Sequence, residues 1–98
     1  MSNSNLIETD LKRVNLSGAN LTGANLSESN LRKATLTGAN FKDVRLLETK
    51  LTGVNLSQVG NLSPKEVTLA IIDKKTNVPD YLEIHWISDE TFDCKARP

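Results

Sequence analysis

The chain has 98 residues, and its twelve Lys and Arg balance twelve Asp and Glu at pH 7, so no global field steers it toward nucleic acid or an anionic membrane. That length suits one domain with a modest core. Cys94 is the single cysteine and has no partner for an internal disulfide, no apolar run nears the roughly 20 residues of a membrane helix, and the polar start from Met1 to Asn5 lacks the pattern of a secretory signal, so a cytoplasmic protein without a membrane partner is expected.

From about residue 3 to residue 59 an apolar side chain recurs every fifth position: Leu6, Leu11, Leu16, Leu21, Leu26, Leu31, Leu36, Phe41, Leu46, Leu51 and Leu56. Five steps turn a helix by roughly 140° and move a strand to its other face, so neither element keeps these residues on one side. Each five-residue unit must contain its own turn, which makes the segment a solenoid with these eleven residues as its core. Two places before each leucine stands a small residue, such as Ala19, Ala24, Ala34, Ala39, Val44 or Val54, small enough to let neighbouring walls approach. The place directly before leucine is polar, mostly Asn, which accepts turn conformations and bonds its own backbone; Thr35, Arg45 and Lys50 depart from Asn there. Gly18, Gly23, Gly38 and Gly53 lie two places after leucine, where a type II turn needs positive φ.

Ala19-Asn20-Leu21-Thr22-Gly23, Ala24-Asn25-Leu26-Ser27-Glu28 and Ala39-Asn40-Phe41-Lys42-Asp43 resemble the pentapeptide-repeat family, whose unit is Ala, Asn or Asp, Leu and two variable residues. The resemblance covers about residues 3 to 59 and implies a mainly β fold, a right-handed quadrilateral β-helix of four units per coil, with a helical cap after the last repeat. It also hints at a bacterial source, cyanobacteria in particular.

Coil size has an independent signal. Leu21-Thr22-Gly23-Ala24-Asn25 echoes in Leu36-Thr37-Gly38-Ala39-Asn40 and Leu51-Thr52-Gly53-Val54-Asn55, a fifteen-residue spacing that favours a triangular coil. Charge favours twenty. At that spacing Glu8, Glu28 and Glu48 form one acidic column, while Lys12 and Arg13, Arg32 and Lys33, and Lys50 gather on a basic face beside it. At fifteen the same charges scatter, so a four-sided coil with fewer than three turns is expected.

The period breaks at Gly60-Asn61, which divides the chain into a β-helix over residues 1–60 and a cap and tail over 61–98 within one structural domain. Ser63-Pro64-Lys65-Glu66 reads as a helix start, with Ser63 as N-cap, Pro64 at the first position and Glu66 closing a capping box. A helix from about Pro64 to Lys74 would then cover the open end of the solenoid, with Lys74 and Lys75 at its negative end. Between Val78 and Ile87 the pattern fits both a strand, through Leu82, Ile84 and Trp86, and a helix, through Tyr81, Leu82, His85 and Trp86. The tail from Asp89 to Pro98 is expected to fray, with Phe92 its only large apolar residue.

Chemistry is sparse. His85 and Cys94 match no paired zinc spacing, Cys94 sits where nothing lowers a thiol pKa, and no triad, phosphate-binding loop or dinucleotide fingerprint occurs. No catalytic residue, cofactor or metal is assigned. The basic face is short and carries no aromatic side chains for base stacking, so nucleic acid is not expected as a partner. Inhibition or protection of DNA gyrase by mimicry of duplex DNA is implied by the family resemblance as an alternative function, with Glu8, Glu28 and Glu48 as its only support in a chain that is otherwise neutral and short. The favoured expectation is a non-enzymatic protein-interaction or assembly module. Its partner surface would include Tyr81, Leu82, Ile84, Trp86 and Ile87, and self-association could also run through an open solenoid end.

Overall fold

The computed structural model describes residues 2–97. Parallel bridges join residues twenty apart: Asn5 with Asn25, Asp10 with Asn30, Asn15 with Thr35, Asn20 with Asn40, Asn25 with Arg45 and Asn30 with Lys50. One coil therefore takes four pentapeptides, and the chain is mainly β and β-helix-like. Each side contributes a single bridging residue between two turns, because five residues leave no length for a longer strand. At each corner the amide of the small residue bonds back to the preceding leucine carbonyl, as from Ala24 to Leu21 at 2.8 Å. The corner residue before it has positive φ at every repeat corner except Gln58, whether or not it is glycine: Gly18 stands at 70° and Gly53 at 72°, Glu28 at 61° and Lys33 at 64°.

Nine of the eleven period-five residues, from Leu16 to Leu56, form the buried core. Leu6 and Leu11, assigned to the interior by the same period, are only partly buried. They belong to the first coil, outside which no further coil lies among the described residues. One small-residue column is polar, running Thr9, Ser29 and Thr49, and the two fully buried hydroxyls of Ser29 and Thr49 both donate to the Leu26 carbonyl at 2.6 Å. A buried hydroxyl is tolerated where it is paired.

The polar residue before each leucine works locally. Asn20 Oδ1 accepts the Thr22 amide at 3.1 Å, and Asn25 Oδ1 accepts the Ser27 amide at 3.0 Å. Thr35, Arg45 and Lys50 make no such bond, yet their turns close normally, with Ala39 to Leu36, Thr49 to Leu46 and Val54 to Leu51 each at 3.0 Å. The coil ladder holds the backbone, and the Asn bond only reinforces it.

After Val59 the structure corrects the sequence reading. Helix α1 spans Pro64–Leu69, six residues, and ends at Ala70. It does not reach Lys74, so neither Lys74 nor Lys75 sits at its negative end. Ser63 is the N-cap by position but its side chain makes no capping bond. Glu66 closes no capping box either, since its Oε1 accepts the Leu46 amide at 2.8 Å. The short helix replaces one side of a coil, and then the coil resumes. Ile71 bridges Lys50, and Asn77 bridges Asn55. Ala70-Ile71-Ile72 and Thr76-Asn77-Val78 thus act as two further units, out of phase by one residue after the helix and by a second because Ile71 and Asn77 are six residues apart rather than five.

The open question over residues 79–87 resolves as strand. β1 (Leu82–Trp86) pairs antiparallel with β2 (Phe92–Ala96), Leu82 opposite Ala96 and Trp86 opposite Phe92. The expected frayed tail is therefore a strand as far as Ala96; Pro98 lies outside the described residues. Leu82 is buried, and Ile84, Phe92 and Cys94 pack against the core from the hairpin. Tyr81 ties hairpin to coil: its hydroxyl donates to the Val59 carbonyl at 2.7 Å and accepts the Leu62 amide at 3.0 Å.

Candidate interaction surfaces

Stacking at twenty residues builds two charged edges on adjacent corners. Glu8, Glu28 and Glu48 occupy one corner of successive coils, and their amides bond the next coil at Ser27, Leu47 and Leu69. Lys12 with Arg13 and Arg32 with Lys33 occupy the next corner. The side between carries Asp10, Asn30, Lys50 and Ile71 in one bridged column. All of the Glu, Lys and Arg side chains in these two edges are exposed.

The resumed coil lengthens the basic edge. Thr76 closes a turn onto Asp73 at 3.0 Å, above the turn that Val54 closes onto Leu51, so Lys74 and Lys75 stand over Thr52 and Gly53. Sequence reasoning missed this placement because it carried the helix to Lys74. The signal was present in Thr76-Asn77-Val78, which repeats the small, polar, apolar order of the units. Among the described residues the only ion pair joins Lys74 to Asp89 at 3.0 Å. The Lys74 ammonium also lies 5.9 Å from the Trp86 ring centroid. The two ladders do not pair with each other.

Asp73 anchors that last turn. Its Oδ1 accepts the amides of Gly53 at 2.9 Å and Lys75 at 3.0 Å. Burial works to raise its pKa, but the bonds from Gly53, Thr76 and Lys75 outweigh that and hold the carboxyl below its ordinary value.

The expected partner surface on the hairpin is divided. Leu82 belongs to the core, 2% exposed, since alternate residues of a strand face opposite sides and its side faces the coil. Ile84 and Trp86 are half-buried, Trp86 against the Phe92 ring at 5.2 Å between centroids. Tyr81 is 41% exposed and Ile87 64%, so the open apolar surface lies at the two ends of β1.

His85 is exposed opposite Asp93, whereas Cys94 pairs with Ile84 and packs inward. The hairpin thus puts His85 and Cys94 on opposite faces. Burial pushes the Cys94 thiol up, which lowers its thiolate fraction. Among the described residues no three side chains converge as metal ligands, and no helix is long and apolar enough to cross a membrane. An open groove of about 910 Å³ runs between α1 and the side bearing Asn25 and Arg45. Its charged lining mixes Lys42, Arg45 and Lys65 with Asp43 and Glu66, and Glu66 is already bonded to Leu46.

Comparison with known proteins agrees with this geometry. The family described as Pentapeptide repeats matches in eight copies over residues 1–38 and 19–58. The fold is similar to the crystal structure of a pentapeptide repeat protein from Nostoc Pcc 7120, with TM-score 0.52 and 27% identity over 81% of this chain and 73% of that one. No curated protein matches. Period, coil and family match together place the chain in the pentapeptide-repeat family.

Proposed function

We propose that the chain is a right-handed quadrilateral β-helix that serves as a non-enzymatic protein-interaction or assembly module in the cytoplasm. The observation that carries this reading is the pair of charged edges. Glu8, Glu28 and Glu48 on one side and Arg13, Lys33 and Lys75 on the other are exposed and make no ion pair among the described residues. A coil holds successive side chains of an edge about 4.8 Å apart, the spacing of neighbouring strands, and the basic edge skips one level where Gly53 stands between Lys33 and Lys75. A rigid array of charge gives orientation and partner choice more readily than catalysis. DNA mimicry directed at gyrase draws support from the acidic edge alone, and the basic edge beside it opposes that role.

The test uses the intact chain as bait in cell extract, beside a variant with Glu8, Glu28 and Glu48 changed to Gln and one with Arg13 and Lys33 changed to Gln. Loss of the captured protein from either variant is the expected result. Identical capture by all three baits would overturn the assignment to these edges.

A further inference from the structure

We propose that the occupant of these edges is a second copy of this chain, set side by side and parallel, with a two-fold axis along the coil direction. The inference deepens the interaction reading above and rests on it.

The acidic and basic edges flank the same side of the prism, the one carrying Asp10, Asn30, Lys50 and Ile71. A two-fold axis parallel to the coils places that side against its own copy. Left and right exchange while heights are kept, so the acidic edge of each copy meets the basic edge of the other. Glu8 then faces the second copy's Arg13 and Glu28 its Lys33, and each contact occurs twice, as an isologous interface requires. Five residues are a quarter of a coil, so the paired groups differ in height by only about 1.2 Å. A two-fold axis across the coils would set glutamate on glutamate. The central column lies nearest the axis, so Asp10, Asn30, Lys50 and Ile71 each meet their own counterparts. The like-charge contacts at Asp10 and Lys50 are offset where Asp10 turns to the other copy's Arg13 and Lys50 to its Glu48, and Ile71, 44% exposed, adds an apolar contact.

Charge also speaks against a polyanion as the occupant. A phosphate backbone along Lys12, Arg13, Arg32 and Lys33 would run beside Glu8, Glu28 and Glu48, one side of the coil away. The partner has to carry both signs, in the same repeat and in reversed order. This chain does so, and its zero net charge offers no long-range repulsion to the encounter. The side spans at most about 300 Å², far below the ~800 Å² per partner of a standard interface, so the dimer is weak and salt-sensitive.

Sedimentation of the purified full chain at several concentrations, in about 0.02 M and about 0.5 M salt, reads the association directly. A monomer–dimer equilibrium that dissociates at the higher salt is expected. Glu28→Lys and Lys33→Glu, each alone, bring like charges together twice and return the chain to monomer. An equimolar mixture of the two variants, and the double variant carrying both changes, restore complementary contacts and recover the dimer. Both positions already hold a non-glycine residue at positive φ, so neither change adds backbone strain, and unchanged melting curves confirm that folding is intact. A strict monomer in low salt, or a dimer indifferent to these reversals, overturns the proposal. So does retardation of a DNA oligonucleotide that depends on Arg13 and Lys33 where no dimer forms. Capture of another protein by the wild-type bait, lost from the Gln variants, would still leave the broader interaction reading standing.

Discussion

The Glu66 carboxylate occupies the place of a backbone carbonyl, accepting the Leu46 amide at 2.8 Å where α1 interrupts the coil. In the regular coils the corresponding amides of Leu6 and Leu26 bond the carbonyls of Asn25 and Arg45. Inserting a helix removes that acceptor, and a buried amide left alone costs about 1–3 kcal/mol. Asp73 does the same for Gly53 one corner later, at 2.9 Å. Two carboxylates let the solenoid change course without abandoning its donors.

Replacing Glu66 with Ala is therefore expected to destabilise the fold by about 1–2 kcal/mol. Amide exchange at Leu46 should accelerate more than exchange at Leu26, which keeps its carbonyl partner. Glu66→Gln retains an acceptor and should recover most of the loss. Denaturant titration together with hydrogen exchange checks both statements.

Position along the axis should grade the core leucines. Leu31 is fully buried, and Leu31→Ala should cost about 3 kcal/mol. For a chain of this size that lowers the thermal midpoint by at least about 10 °C. Leu6→Ala, at the partly buried first coil, should cost about 1 kcal/mol. Equal losses at the two sites in calorimetry would contradict the observed gradient of burial.

Gly53 separates backbone conformation from packing. It holds φ at 72°, and a Cβ built there meets nothing within 4 Å. Gly53→Ala should thus cost about 1 kcal/mol through the left-handed conformation alone. Gly53→Asn should cost less, since Asn tolerates that region. Urea midpoints for the two variants decide it.

Asp73 gives the fold an acid-sensitive turn. Its carboxyl titrates lower in the folded chain than in the unfolded one. The resulting stabilisation is complete above the unfolded-state pKa of about 3.9 and is lost as pH falls through the lower folded value. Asp73→Asn should be less stable than the parent at neutral pH. The difference should shrink as pH drops from about 5 toward about 2, because the parent loses its advantage there. Stability curves measured against pH for the two proteins provide the check.

The repeat was legible because it is local. An apolar residue every fifth place, a small residue two before it and Asn directly before it each act within one unit, and the twenty-residue phase of Glu8, Glu28 and Glu48 exposes the coil in the sequence alone. The segment beyond Val59 was not legible, because its partners lie one coil back. Ser63, Pro64 and Glu66 carry the marks of a capped helix start, yet Glu66 turns to Leu46, an acceptor-seeking amide that no local pattern announces. Asp73 and Tyr81 likewise bond Gly53, Val59 and Leu62, some twenty residues away in sequence. Lys74 and Lys75 joined the basic edge only because Thr76-Asn77-Val78 returned the chain to the coil. The sequence alone thus dictated the prism and most of its charged columns through short-range periodicity, whereas the closure of its end depended on tertiary pairing of backbone groups that a broken coil left without partners.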